Sequence, residues 1–218
     1  MSYFRFIDNG NGPTKLFIGG LHGNEGKTSI KLLKSLKKED FHEGQIFIYN
    51  FDESRYISTL KKEYYQSSLG LKIIDLIKKI KPDFYTELHC YNIDHFKSLI
   101  GDSRRNLQGV PPLIDCGDYI LISSVSPQIR LKYFSKETIC KTLEIPCIHD
   151  NEKIKYAKDI YGFNKKISVN RYMDIIKLIA KSKNRIDFEN KISYYYPHQV
   201  DLARIYVKEI FGDEFPPF

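Results

Sequence analysis

The stretch "GGLHGNEG", from Gly19 to Gly26, places a histidine and a glutamate three residues apart among four glycines. It directly follows the apolar run "LFI" (16–18), which is typical of a buried strand. Glycines at the end of a strand indicate a sharp turn or a close approach of the backbone to another group. The pair His22 and Glu25 supplies two donor types that Zn²⁺ accepts. The stretch therefore predicts a strand that ends in a metal-binding loop.

Strands and helices alternate around this loop. The predicted strands cover residues 2–8, 14–20, 44–51 and 83–91, and the predicted helices cover residues 27–38 and 69–82. Alternation with short connections predicts right-handed crossovers and parallel strand pairs. The expected fold is therefore α/β, a three-layer α/β/α sandwich around a mixed, mostly parallel central sheet. At 218 residues, we expect the whole chain, 1–218, to form a single domain.

The second half of the chain gives less regular patterns. Its predicted elements are strands at 96–102 and 119–125, a polar loop at 103–112, a helical turn leading into a strand at 142–148, helical structure from 169 onward, and a last helix at 198–212. The tail 213–218 is expected to carry no chemistry.

Composition and charge exclude several classes of protein. The formal charge is +7, but the lysines recur on the polar faces of predicted helices and no nucleic-acid-binding motif is present. We therefore expect no nucleic-acid partner, and the charge favours anionic substrates. No apolar run is long enough to span a membrane and no export signal is visible, which predicts a cytoplasmic protein without membrane contact. Its four cysteines are expected to be free thiols.

A second histidine completes a ligand set for a metal. His89 lies near the end of the predicted strand 83–91, and ligands of open parallel sheets bind at the carboxyl ends of strands. If this strand neighbours the strand before His22 and Glu25, the three side chains converge. Two histidines and one carboxylate, with a fourth position for water, form a catalytic zinc set. The sequence thus predicts one Zn²⁺ per chain.

Two further carboxylates have expected roles near this metal. Glu87 precedes His89 by two residues and shares its strand face, so it is expected to accept the second ring N–H of that histidine. The alternative is a polar pocket without a role in metal binding. Glu144 stands in the apolar segment "TLEIPC", where a lone carboxylate is costly unless it has a purpose. It is the candidate general base; the alternative is an edge-strand residue that faces solvent.

The segments "GGLHGNEG", "ELHC" and "TLEIPC", in this order, resemble the zinc carboxypeptidase superfamily, and within it the succinylglutamate desuccinylase/aspartoacylase branch. The resemblance implies a zinc-carboxypeptidase-like (phosphorylase/hydrolase-like) fold. It implies His22, Glu25 and His89 as zinc ligands and Glu144 as catalytic base. In size and lysine-rich composition the chain also resembles an uncharacterised archaeal family related to that branch.

The substrate-binding segments depart from this branch. The branch has an Asn-Pro segment and a later Asp-x-Asn-Arg segment that bind the substrate carboxylate, whereas this chain has only "YNFDESRY" at 49–56. On that basis Asn50 is expected to bind substrate, and Arg55 to bind substrate and polarise the scissile carbonyl. Alternatively, Arg55 pairs with a neighbouring acidic residue and Arg104 binds the anion.

Three further residues are candidates for this pocket. Arg105 competes with Arg104 for the anion, Arg130 is a more distant candidate, and His149 is expected at the rim. The branch's additional C-terminal β-domain has no counterpart in this chain.

The predicted function is a zinc-dependent hydrolase that cleaves an amide bond. The expected substrate is an N-acylated amino acid, a similar small molecule or a short peptide, and it is expected to be anionic. An ester hydrolase is a related alternative. The reduced arginine pocket keeps open a non-catalytic metal-binding or interaction protein on the same scaffold. A homo-oligomer is compatible with the sequence.

Overall fold

The computed structural model describes residues 3–212. Its strands are β1 (Tyr3–Asp8), β2 (Thr14–Gly19), β3 (Gln45–Asn50), β4 (Phe84–Tyr91), β5 (Ile114–Asp115), β6 (Leu121–Ser123) and β7 (Ile139–Pro146). Its α-helices are α1 (Gly26–Ser35), α2 (Ser68–Ile80), α3 (Phe96–Ile100), α4 (Ser103–Gln108), α5 (Pro127–Tyr133), α6 (Asn151–Tyr161), α7 (Lys165–Ala180), α8 (Arg185–Tyr195) and α9 (Pro197–Phe211). Short 3₁₀ helices cover Lys38–Asp40, Lys62–Gln66 and Ile93–His95.

These strands form one mixed sheet in the order β1-β3-β2-β4-β7-β6-β5. The four inner strands β3, β2, β4 and β7 are parallel to one another. The outer strands β1 and β6 run antiparallel to their neighbours, and β5 pairs antiparallel with β6. Five of the seven strands therefore share one direction, as the sequence predicted for a mixed, mostly parallel sheet.

Helices cover both faces of the sheet. One apolar cluster joins a face of the sheet to α1, α7 and α8, and a second joins the opposite face to α2 and α5. Every residue of β4 is buried, as is typical of a central parallel strand. The predicted three-layer α/β/α sandwich is confirmed. After β2 the chain continues into α1 on one face of the sheet, and after β3 it continues into α2 on the other face. A crevice therefore opens at the carboxyl ends of β2 and β4.

Several sequence-based assignments in the second half were wrong. The predicted strand at 96–102 is the helix α3, because Asn92 caps a 3₁₀ turn that continues into it. The predicted loop at 103–112 contains α4, which ends at Gly109 with φ +69°. β7 begins at Ile139, three residues earlier than predicted, and α6 was not predicted. The tail 213–218 lies outside the described residues. Between residues 3 and 212, no helix has the length and apolar character needed to cross a bilayer.

A buried lysine joins β2 to the end of a helix. Lys15 is completely buried, and its Nζ donates hydrogen bonds to the carbonyls of Ile179 (3.1 Å) and Ser182 at the C-terminal end of α7. Such carbonyls lack partners within their helix and carry partial negative charge. Burial nevertheless lowers the pKa of Lys15 to about 7, so the folded chain holds this proton less strongly than the unfolded chain.

The substitution Lys15→Met is expected to change how stability depends on pH. Since the pKa is about 7 in the folded chain against an ordinary value of 10.5, the unfolded chain binds more protons between these values. Lys15 therefore makes the wild type gain stability as the pH rises through this range. The free energy of unfolding of the wild type minus that of the variant should increase by at most about 1.4 kcal/mol per pH unit. Urea unfolding of both chains at pH values between about 7 and 9 measures this difference. A difference that stays constant with pH would contradict the prediction.

Candidate metal centre

The loop after β2 turns sharply against the end of β3. Gly20 has φ +74°, and a Cβ added there would lie 2.0 Å from the carbonyl oxygen of Phe51. A Cβ on Gly26 would lie 1.9 Å from the same oxygen. Both positions therefore require glycine. The loop between them carries His22 and Glu25 directly above the carboxyl end of the sheet.

The three predicted ligands converge because β2 and β4 are neighbours. Their register places Gly19 beside Leu88, so the loop after β2 lies next to His89. His89 Nδ1 is 3.1 Å from Glu25 Oε2, and His22 Nδ1 is 3.5 Å from Glu25 Oε1. One ligand atom from each of the three residues lies within 4.8 Å of the other two.

His22 carries a buried nitrogen without a partner. Its Nδ1 is inaccessible to solvent and makes no hydrogen bond. Burial lowers the pKa of His22 to about 4, although the nearby Glu25 raises it. The ring is therefore neutral, as a metal ligand must be. A buried ring nitrogen that makes no hydrogen bond and lies beside a carboxylate is costly, unless a cation lies between the two groups.

Glu87 holds His89 from the other side of its ring. The Glu87 Oε2 atom is 3.3 Å from His89 Nε2, and the Tyr85 hydroxyl donates to Glu87 Oε1 at 2.9 Å. The Thr142 hydroxyl donates to Oε2 at 3.3 Å. Nε2–H of His89 thus points to a fixed carboxylate, which leaves Nδ1 free to face Glu25. This is the arrangement in which an outer carboxylate orients a metal-bound histidine.

The electrostatics of the cluster fit a cation. Burial lowers the pKa of His89, but the carboxylates of Glu25, Glu87 and Glu144 together raise it well above its ordinary value. In the protein alone, protonated His89 supplies the positive charge that these buried carboxylates require. A dication at Nδ1 would supply it instead. The two nitrogen donors, of which His22 Nδ1 is unpartnered, and the carboxylate of Glu25 therefore fit Zn²⁺.

Glu144 faces the same cluster from β7. It pairs with His89 in the β4–β7 register, and its Oε2 is buried without a hydrogen-bond partner. Since β7 lies between β4 and β6, the edge-strand alternative does not apply. Burial raises the pKa of Glu144 to about 7, while the positive charges of His89 and Arg104 lower it. The carboxylate can therefore take up and release a proton near neutral pH.

A cavity of about 410 Å³ opens from this cluster. The polar end is lined by His22, Glu25, His89 and Glu144, together with Tyr56, whose ring centre lies 4.8 Å from that of His22. The remaining wall is largely apolar and comes from α3, the segment 110–114 and α9. Its members include Leu99, Val110, Leu113, Val200, Ala203 and Val207. The cavity thus joins a charged end to an apolar chamber.

Of the four arginines that the sequence offers for the substrate anion, Arg104 lines this cavity. Its Nε is buried without a partner, and one terminal nitrogen donates to the carbonyl of Pro111. Burial lowers the pKa of Arg104, and the charge of Glu144 raises it. Arg104 therefore has an unpartnered donor and lines the same cavity as the candidate base.

Two other predicted substrate-binding residues do not line the cavity. Asn50 is completely buried; its Oδ1 accepts a hydrogen bond from Ser29 Oγ at 2.6 Å, and its Nδ2 donates to the Gly26 and Phe51 carbonyls. These contacts hold the start of α1 to the end of β3. Arg55 is exposed in the loop after β3, immediately before the cavity residue Tyr56.

Arg105 and Arg130 bind other groups of the protein, outside the cavity. Arg105 pairs with Glu209 at 2.8 Å and so joins α4 to α9. The guanidinium of Arg130 donates to carbonyls of the segment 135–138. Sequence reasoning missed Tyr56 and His95 as cavity residues, because neither has a partner at a distinctive spacing in the sequence.

The expectation that all four cysteines are free was wrong. Cys90 and Cys147, which are 57 positions apart in sequence, form a disulfide with Cα atoms 4.9 Å apart. The pairing follows from the sheet, because Cys147 directly follows β7 and its N–H donates to the carbonyl of Tyr91 on β4. Cys116 and Cys140 are free and buried.

Comparisons with known proteins place the chain in an archaeal family. Residues 10–212 match the model of the family described as uncharacterized proteins conserved in archaea (DUF2119). An uncharacterized protein of Methanocaldococcus jannaschii is 40% identical over 214 residues, which cover 96% of each chain. No solved structure matches. These findings do not bear on the resemblance to zinc carboxypeptidases, which stays a prediction. The chain belongs to this family of uncharacterized proteins conserved in archaea.

Proposed function

We propose that the protein is a zinc-dependent hydrolase that cleaves an amide bond in a small molecule or short peptide. The observation that carries the proposal is the convergence of His22, Glu25 and His89 with the unpartnered carboxylate oxygen of Glu144 at one end of a cavity. Two atoms of this group, His22 Nδ1 and Glu144 Oε2, are buried without hydrogen-bond partners, which is costly. Amide hydrolysis at a metal uses both groups.

The metal, Glu144 and Glu87 have different expected roles in amide hydrolysis. When bound, Zn²⁺ polarises the scissile carbonyl and makes a water acidic enough to lose a proton near neutral pH. Glu144 takes the proton from the attacking water and later donates it to the leaving amine. A group with a pKa of about 7 can perform both transfers. Glu87 holds His89 in the tautomer that offers Nδ1 to the metal.

The cavity supports a substrate with two parts. Arg104 lines the same cavity as Glu144 and has a buried N–H without a partner, which suits a carboxylate or another anionic group. The apolar wall from α9 suits an acyl chain or an apolar side chain. An N-acylated amino acid or a short peptide with a free carboxylate has both parts. The same arrangement would serve an ester, so a substrate panel should include both bond types.

Arg104→Ala is expected to raise KM for anionic substrates by about 10–100-fold, because a hydrogen bond to a charged group contributes about 1.5–3 kcal/mol. Steady-state kinetics on matched substrates with a free and an amidated carboxylate measure the effect, which should vanish for the amidated one. Arg55→Ala is the matched control and is expected to change KM less, since Arg55 is exposed outside the cavity lining. A larger effect of Arg55→Ala would move the anion site to the loop after β3.

Two measurements test the proposed function. Elemental analysis of the purified chain should find about one zinc ion per chain, as a three-ligand catalytic site predicts. A panel of N-acyl amino acids and short peptides should then contain a compound whose hydrolysis stops on chelation and resumes when zinc is returned. A chain that takes up no metal after zinc addition and dialysis would overturn the proposal.

One observation favours a second candidate function. Asn50 and Arg55, the counterparts of the substrate-binding segments in the resembling branch, do not line the cavity. A non-catalytic metal-binding or interaction protein on the same scaffold would have this reduced pocket. It would bind zinc and leave every amide and ester of the panel intact. Glu144, whose Oε2 is buried without a partner, supports the enzyme instead.

Location and assembly complete the proposal. We expect a cytoplasmic protein with small-molecule or short-peptide substrates and without nucleic-acid or membrane partners. A homo-oligomer stays a prediction, which light scattering would test.

A further inference from the structure

Next to the candidate centre lies a second group of metal-ligating atoms. Cys90 follows His89 on β4, Cys147 follows β7, and His149 comes two residues later. One ligand atom from each of Cys90, Cys147 and His149 lies within 4.8 Å of the other two. Successive residues of a strand point to opposite faces, so this group lies on the other side of β4 from His89.

A disulfide alone does not account for this arrangement. Two cysteines suffice for the bond, yet an imidazole nitrogen of His149 lies in the same small cluster. The ring is held in place, since Nδ1 is 2.9 Å from the hydroxyl of Thr28 on α1. A polar partner that fixes the orientation of the ring is typical of histidines that bind metals.

A path from solvent reaches the cluster. Cys147 and His149 are partly exposed, and Cys147 lines a second cavity of about 300 Å³. Residues of α6 line this cavity and not the first, while Tyr91 and Asn92 line both. Asn92, Asp94 and Glu152 also line this cavity and make its wall polar. The cluster therefore meets the requirements of ligand identity, a supporting partner and an entry path.

We propose that Cys90, Cys147 and His149 form a second metal site, for Zn²⁺ or another thiolate-binding cation, which opens when the disulfide is reduced. Two thiolates and one imidazole match the preference of zinc for sulfur and nitrogen donors. With Zn–S bonds of about 2.3 Å, a tetrahedral site holds two sulfurs about 3.8 Å apart. The Cα separation of 4.9 Å is compatible with sulfurs at this distance.

Reduction must precede binding. A phosphine reductant transfers two electrons to the S–S bond and is oxidised to the phosphine oxide, while one water supplies its oxygen and the two thiol protons. A dithiol can act in its place by forming its own disulfide and giving up its two protons. The metal then displaces the protons from the two thiols, which pass to solvent. The redox state of the chain thus decides whether the second site exists.

Cobalt titration tests this proposal independently of hydrolysis. Only sulfur ligands give a thiolate-to-cobalt charge-transfer band, and the candidate centre at His22, Glu25 and His89 contains no sulfur. After reduction with a phosphine and addition of one equivalent of Zn²⁺ to fill the candidate centre, the chain should show this band, with saturation near one further Co²⁺ per chain. The oxidised chain should show none. A reduced chain without the band would overturn the second site and leave the proposed hydrolase untouched.

Variants assign the ligands. Cys147→Ser should abolish the band, and His149→Ala should weaken cobalt binding by more than about tenfold. Cys140→Ser, which removes a free buried cysteine elsewhere, is the matched control and should leave the band intact. A band that survives Cys147→Ser, or an affinity unchanged in His149→Ala, would contradict the assignment. If Cys147→Ser does not fold, alkylation of the reduced wild type decides: zinc should protect Cys90 and Cys147, and equal labelling with and without zinc would overturn the site.

Discussion

Replacing Glu144 with glutamine is expected to lower kcat by about 10²–10⁴-fold while the chain keeps its metal. The amide of glutamine has nearly the shape of the carboxylate but cannot take a proton from water. Glu144 lies on β7, outside the three converging ligands, and its Oε2 makes no hydrogen bond that the substitution would break. Packing and metal content should therefore stay as in the wild type.

The measurement pairs turnover of the best substrate from the panel with elemental analysis of the same preparation. Glu63→Gln, an equivalent change at an exposed position, serves as the matched control and should leave both quantities unchanged. Wild-type turnover in Glu144→Gln would remove Glu144 from the chemistry. Loss of metal together with turnover would instead make Glu144 part of the metal site.

The ligands at the two central strands could be predicted from sequence for a physical reason. Alternating strands and helices place the carboxyl ends of parallel strands at one edge of the sheet, so residues after such strands converge whatever their separation in sequence. His22, Glu25 and His89 follow this rule, as does Glu144 on β7. In each case the signal was local: a chemically costly residue at the end of an apolar run, or within one.

Residues placed by long-range packing left a weaker signal. The sequence offered Arg104 among several arginines for the anion, but it predicted neither the helix α4 that carries it nor that Arg104, and not Arg55, lines the cavity. The pairing of Cys90 with Cys147 depends on the β4–β7 register, which one sequence does not specify. Asn50 shows the converse, since a residue that matched an expected motif is fully occupied in holding α1 to β3.

Removal of either histidine ligand is expected to remove the metal from the protein. His22→Ala and His89→Ala are each expected to reduce zinc from about one ion per chain to a trace after dialysis. Each removes one of three protein ligands, and the two that remain leave a catalytic site incomplete. His89→Ala also removes the group that balances the charge of Glu25 and Glu87, so it should lower stability as well.

The substitution Glu87→Gln distinguishes the loss of a metal ligand from the loss of the carboxylate that orients a ligand. The amide can still accept the Nε2–H of His89 through its oxygen, but it lacks the charge that makes the ring a stronger ligand. Zinc affinity should therefore fall by about 10–100-fold, far less than in either histidine variant. Competition with a chromophoric chelator measures all three affinities, and far-UV circular dichroism confirms that each variant is folded. Equal losses in folded Glu87→Gln and His22→Ala would make Glu87 a direct ligand, whereas unchanged affinity in folded His22→Ala would remove the loop after β2 from the metal site.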